Sequence, residues 1–211
     1  LTAKDTDNML DNHQRLELYR IFARLFSYPE PLLLNDLSHE VATLQQLLQD
    51  EEYLLSTDIS LHELEVAYTH LFISHFGGVP APPYGSVYLE ESRQLMGQTS
   101  LCALRAYEDE GLNHTRSVEP PDFIATELEF LYYLISRETE AIKQKNSVLS
   151  QTFRQKQIDF CHTLLQPWIG KFCQRILDVA DAHSLYRWSA TMLLHFCRHE
   201  EAFYEIPPEP L

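Results

Sequence analysis

The chain has 211 residues, 45% of them apolar, which is enough to bury a core as one large domain or two small ones. Thirty-one acidic residues against 16 basic ones give a net charge of −15, which argues against binding nucleic acid or anionic lipid and favours a cationic partner. No run approaches the roughly 18–20 apolar residues that crossing a bilayer requires.

Leu1 to Asn12 is polar and acidic and lacks the apolar core of a signal peptide. Residues 10–27 then read as a first helix, with Leu18, Phe22, Leu25 and Phe26 inward and Tyr28-Pro29 as its stop. Pro31 opens a second, with Leu33, Leu37, Val41, Leu44 and Leu48 at helical spacing, and Asp50-Glu51-Glu52 ends or exposes it. Ser60 with Glu63 makes a capping box before a third helix whose apolar face is Leu64, Ala67, Tyr68, Leu71 and Phe72. Residues 77–89 are rich in Gly, Pro and Tyr and read as a loop, apolar enough to lie against the body. A helix over about 90–110 ends at Gly111.

Residues 112–121 lead into an elbow, Glu119-Pro120-Pro121-Asp122-Phe123. Adjacent prolines cannot sit inside a helix but suit its start, and Asp122 is expected in the first turn against the positive end of the dipole. Ile124, Leu128, Leu131 and Ile135 then mark one face of a helix over 122–144. Helices follow over 148–165, breaking before Pro167, then 168–181 and 184–204, with a frayed tail Ile206–Leu211. The fold class is all-α with about eight or nine helices, in two halves, 1–113 and 122–211, joined by a proline-rich hinge at 114–121. Such a hinge invites exchange of halves between protomers, so homodimers are expected beside monomers.

Between Arg24 and Arg93 there is no Lys or Arg, yet eleven Asp and Glu fall there. This is either a solvated acidic face or a landing surface for a basic segment. His195 and His199 share a helical face, but the zinc-protease pattern needs Glu where Phe196 stands, so no metal site is assigned. Cys102, Cys161, Cys173 and Cys197 show no CxxC spacing and read as reduced thiols, which makes the cytoplasm the expected location. No GxSxG, GxxxxGK[ST] or GxGxxG is present, so no catalytic residue is assigned. Glu127, flanked by Phe123, Phe130 and Leu134, must find a partner: an internal one, or a guanidinium from another protein.

Two stretches resemble the TorD/DmsD family of cytoplasmic chaperones for molybdenum oxidoreductases. The elbow is similar to its E-x-P-D-H…E-L-x-F-L signature through Glu119, Pro121, Asp122, Glu127, Leu128, Phe130 and Leu131, with Phe123 where the family has His. Tyr68, Leu71, Phe72 and Pro82 to Leu89 resemble its second motif, and Leu25 to Pro29 its opening helix. The likeness covers nearly the whole chain and runs closest to the branch that serves trimethylamine N-oxide reductase. It implies binding to the twin-arginine signal peptide and core of a precursor enzyme while molybdopterin guanine dinucleotide is inserted into that client. It also implies weak GTP binding and no tightly held cofactor. On this resemblance the acidic stretch, Asp122 and Glu127 are expected to receive the arginines. Tyr68, Leu71, Phe72, Pro83, Tyr84 and Tyr88 are expected to form the apolar trough, with Glu119 and Phe123 also in the partner-binding site. The alternatives are a guanine-nucleotide-dependent enzyme and an assembly factor of the nitrate reductase delta type.

Overall fold

The computed structural model describes residues 10–49, 55–91, 97–113 and 119–205. The acidic run Asp50–Glu52, the hinge residues 114–118 and the tail from Ile206 lie outside the described residues. Nine α-helices occur among the described residues: α1 (Asn12–Leu25), α2 (Pro31–Leu48), α3 (Leu61–Tyr68), α4 (Ser86–Leu89), α5 (Gln98–Asp109), α6 (Ile124–Lys143), α7 (Ser147–Phe160), α8 (Gln166–Asp178) and α9 (Ser184–Glu205). Among those residues the only β feature is an isolated antiparallel bridge between Tyr84 and Phe123.

The starts of α2 and α3 follow local chemistry. Pro31 occupies the first turn of α2, where its missing N–H costs nothing. Ser60 accepts from the Glu63 amide while the Glu63 carboxylate accepts from the Ser60 amide, closing the capping box. The helix expected from about residue 90 instead begins at Gln98. Glu90 is extended, and its carboxylate reaches across to accept from the Thr99 amide at 2.8 Å, capping α5 from outside. A Cβ at Gly97 would fall 1.7 Å from that carboxylate, so the cap needs glycine there.

The break expected before Pro167 is absent. The helical path continues from α7 through a π-turn, Cys161–Leu165, in which the Gln166 amide donates to the Cys161 carbonyl. Pro167 then falls in the first turn of the resumed helix, where proline is tolerated.

α6 is the centre of the packing, with α1 on one side and α7 on the other. Leu128, Leu131, Leu134 and Ile135 of α6 and Leu18, Ile21, Phe22 and Leu25 of α1 have no exposed surface. The first helix of the N-terminal half therefore rests on the C-terminal half, and α1 also meets α9. The acidic stretch is partly consumed in this packing. Glu40 is buried and accepts from both Arg20 and Arg24, and Asp36 accepts from Arg24 at 3.0 Å, stapling α2 to α1.

Candidate functional site

The proline-rich loop and the elbow form one joint. The Gly85 amide donates to the Asp122 carbonyl, and the Ile124 amide to the Pro83 carbonyl, each at 2.9 Å. The second of these satisfies the first orphan amide of α6 from outside the helix. Phe123 is the N-cap of α6, so both prolines and Asp122 precede the helix and do not fill its first turn. Asp122 is fully buried. Its carboxylate accepts from the Ser86 amide at 2.7 Å and from the Ser100 hydroxyl at 2.6 Å, tying the elbow to α4 and α5. Tyr107 of α5 adds a hydrogen bond to the Pro121 carbonyl at 2.7 Å. Placed there, Asp122 presents nothing to solvent, and its observed work is that of a latch.

Glu127 is likewise fully buried. Its internal partner is the Trp168 indole, which donates at 3.1 Å to one carboxyl oxygen and leaves the other without a partner. Burial first, and the nearby Asp122 second, push its carboxyl well above the usual carboxylate range, against a smaller opposing effect of the indole. The unfolded chain releases this proton near pH 4.3, while the folded chain keeps it. The folded state therefore loses ground as pH rises above that point. Glu127→Gln is expected to be near neutral below about pH 4 and to stabilise the protein by a margin that grows towards pH 7. Denaturant titrations at the two pH values check this; equal margins would return the group to its ordinary range.

Tyr68, Leu71 and Phe72 are at most 4% exposed; the rings of Tyr68 and Phe72 pack into an aromatic core with Phe26, Phe172 and Tyr186. Pro83 and Phe123 are also buried. Of the expected site residues, Tyr84, Tyr88 and Glu119 retain partial exposure. The Tyr84 hydroxyl donates to Glu119 at 2.7 Å, and Tyr88 stacks on Trp168 at 5.4 Å. Gly85 is packed against the same indole, where a Cβ would lie 3.0 Å from Nε1.

The joint borders a groove of about 440 Å³ between α5 and α7. Its floor includes Leu89 of α4, Ala106 of α5, Phe130 of α6, and Phe160 and Leu164 beyond. Asp109 and Asp159 stand in its lining, together with Glu110, which holds Lys156. No local pattern marks this surface, because its residues come from four helices and the π-turn Cys161–Leu165. Leu89 of the second motif and Phe130 of the elbow signature are the two motif residues that line it. The four cysteines are free, as their spacing suggested, and Cys102 is half-buried in the groove lining. Among the described residues no helix is long and apolar enough to cross a membrane.

A family model described as Nitrate reductase delta subunit, which is the TorD family, matches residues 30–174. The chain belongs to that family. The delta-subunit alternative and the TorD resemblance are thus two names for one kinship. A chaperone protein TorD from a Psychrobacter species is 26% identical over 212 residues, covering 92% of this chain and 93% of that one. A selenate reductase assembly chaperone protein from Thauera selenatis is 28% identical, covering 84% and 85%. A solved structure titled as a putative redox enzyme maturation protein from Archaeoglobus fulgidus superposes with a TM-score of 0.59 at 29% identity, covering 90% of this chain and 96% of that one. The chain is thus similar to chaperones and maturation proteins for reductases, not to catalysts.

Proposed function

We propose that the chain is a cytoplasmic chaperone that holds the twin-arginine leader and the body of a molybdenum reductase precursor, of the trimethylamine N-oxide reductase type, before export. The supporting observation is the groove between α5 and α7. Its floor is apolar, acids stand at its margin, and it lies against the joint formed by both signature motifs. A leader offers an oily run beside paired guanidinium groups, and this combination suits an amphipathic groove. Exposed acids such as Asp109 and Asp159 receive the cations, while Asp122 and Glu127 hold the groove wall from inside. The chain acts as a monomer or as a dimer exchanging halves, which size-exclusion chromatography over a range of concentrations separates.

The test is titration with a synthetic twin-arginine leader peptide. Ala106→Trp, which fills the groove, is expected to weaken binding by about tenfold or more, on the scale of losing one apolar anchor. Asp109→Lys with Asp159→Lys is expected to weaken it chiefly at low salt. Unchanged affinity in both variants would remove the leader from this groove. The reading assigns no nucleotide step, so GTP turnover by the pure protein would count against it.

A further inference from the structure

The helical path does not end with α3. Thr69–Ile73 continues as a π-turn, closed by the Ser74 amide donating to the Thr69 carbonyl at 2.8 Å. Isolated π-turns are frequent at functional sites. This one carries His70, and the chain leaving it carries His75. Their Nδ1 atoms face each other at 3.2 Å, with the rings inclined at 70°.

At that separation one imidazole donates to the other, the tautomer deciding which, and the same spacing fits a shared metal ion that displaces the bridging proton. Two nitrogens bound tetrahedrally at zinc's usual bond length of about 2.0–2.1 Å stand about 3.3–3.4 Å apart. A second, independent feature lies behind the pair. The Nε2 of His70 faces the Asp181 carboxylate at 3.9 Å. A carboxylate behind a ligating imidazole is the common outer partner. At 3.9 Å this one acts through its charge and not through a hydrogen bond, and that charge favours the proton on Nε2 and leaves the Nδ1 lone pair for the ion. Glu63 and Asp181 line the same groove as His70, and the chain from residue 25 to residue 92, which supplies both histidines and Glu63, has no Lys or Arg. The local field therefore favours a cation.

We propose that His70 and His75 chelate a divalent first-row transition ion through their Nδ1 atoms, zinc being the natural choice for imidazole donors. Among the described residues no group of three His, Cys, Asp or Glu could hold a metal, so the ion keeps positions open to water or to a donor from a partner. The chelate would join the π-turn to the loop bearing Phe76, whose side chain stands fully in solvent. It is an exchangeable surface site, distinct from the groove assigned to the leader.

The experiment titrates untagged protein with Zn²⁺ by calorimetry and with Co²⁺ by visible absorption. Asp181→Asn is expected to weaken the tightest-bound equivalent by about 10–100-fold, and His70→Ala or His75→Ala by no less. His195→Ala is the control, because His195 and His199 form a rival pair with ring centroids 5.1 Å apart; it is expected to leave that equivalent unchanged. Circular dichroism confirms that each variant is folded. Binding that survives both His70→Ala and His75→Ala, or that disappears with His195→Ala, overturns the proposal.

Discussion

Replacing Arg15 with Met is expected to lower the unfolding free energy by about 3–5 kcal/mol, the usual cost of removing one partner of a buried ion pair. Arg15 has no exposed surface. Its Nε and Nη2 donate to the two carboxylate oxygens of Glu200 at 2.7 and 2.8 Å, and Nη1 donates to Asn12 at 2.9 Å. The Tyr19 hydroxyl also donates to Glu200 at 2.8 Å, and the Phe203 ring lies 3.9 Å beneath the guanidinium. Burial pulls the guanidinium pKa down, but the Glu200 charge and its hydrogen bonds more than offset this, so Arg15 stays charged. Without Arg15, the Glu200 carboxylate is left buried with the Tyr19 hydroxyl as its remaining donor. For a chain of this size the loss corresponds to a fall in Tm of about 6–20 °C. The double variant Arg15→Met with Glu200→Leu is expected to lose less than the single one. It removes both charges, so no carboxylate is left buried without its cation. Urea denaturation of the three variants checks this; an equal loss in single and double would clear the stranded carboxylate of blame. The network joins α1 to α9 and, through Gln157, which accepts from Nη2 at 3.1 Å, to α7, so the softened element is the tie between the N-terminal and C-terminal halves.

What the sequence revealed and what it concealed divide by distance along the chain. The Ser60–Glu63 capping box, the helix start at Pro31 and the inner face of α6 are set within a turn or two, and each is found where its pattern put it. Asp122 meets Ser86 and Ser100 across 36 and 22 residues, and Glu127 meets Trp168 across 41. No local rule announces such pairs. Without its partners, Asp122 read as a first-turn carboxylate. The stripe of Tyr68, Leu71 and Phe72 was ambiguous for another reason. Aromatic residues at helical spacing look alike whether they line a trough or fill a core, and only packing against Phe26 and Phe172 tells them apart. Pro167 shows a third limit, because a helix can widen into a π-turn and pass a proline that should have ended it.

Asp122→Ala and Asp122→Asn are expected to part company, and the contrast separates two roles for this carboxyl. Alanine leaves the Ser86 amide and the Ser100 hydroxyl without their acceptor in a site closed to water. Losing buried partners costs about 1–3 kcal/mol each, so a total near 3 kcal/mol is expected. Ser86 opens the four-residue α4, whose last residue, Leu89, lines the groove, so leader affinity should fall as well. Asparagine presents one oxygen, which suffices for the Ser86 amide, and one NH₂. That NH₂ meets a serine hydroxyl, which accepts as readily as it donates. The two latching bonds therefore survive, and the loss should stay below about 1 kcal/mol with leader affinity nearly unchanged. Were Asp122 instead a receptor for the leader's arginines, removing its charge would matter more than removing its shape. Asparagine and alanine would then weaken peptide binding alike, while asparagine left stability intact. Paired peptide titrations and denaturation curves on the two variants give the answer. A latch predicts that affinity follows stability, and a cation receptor predicts that it does not.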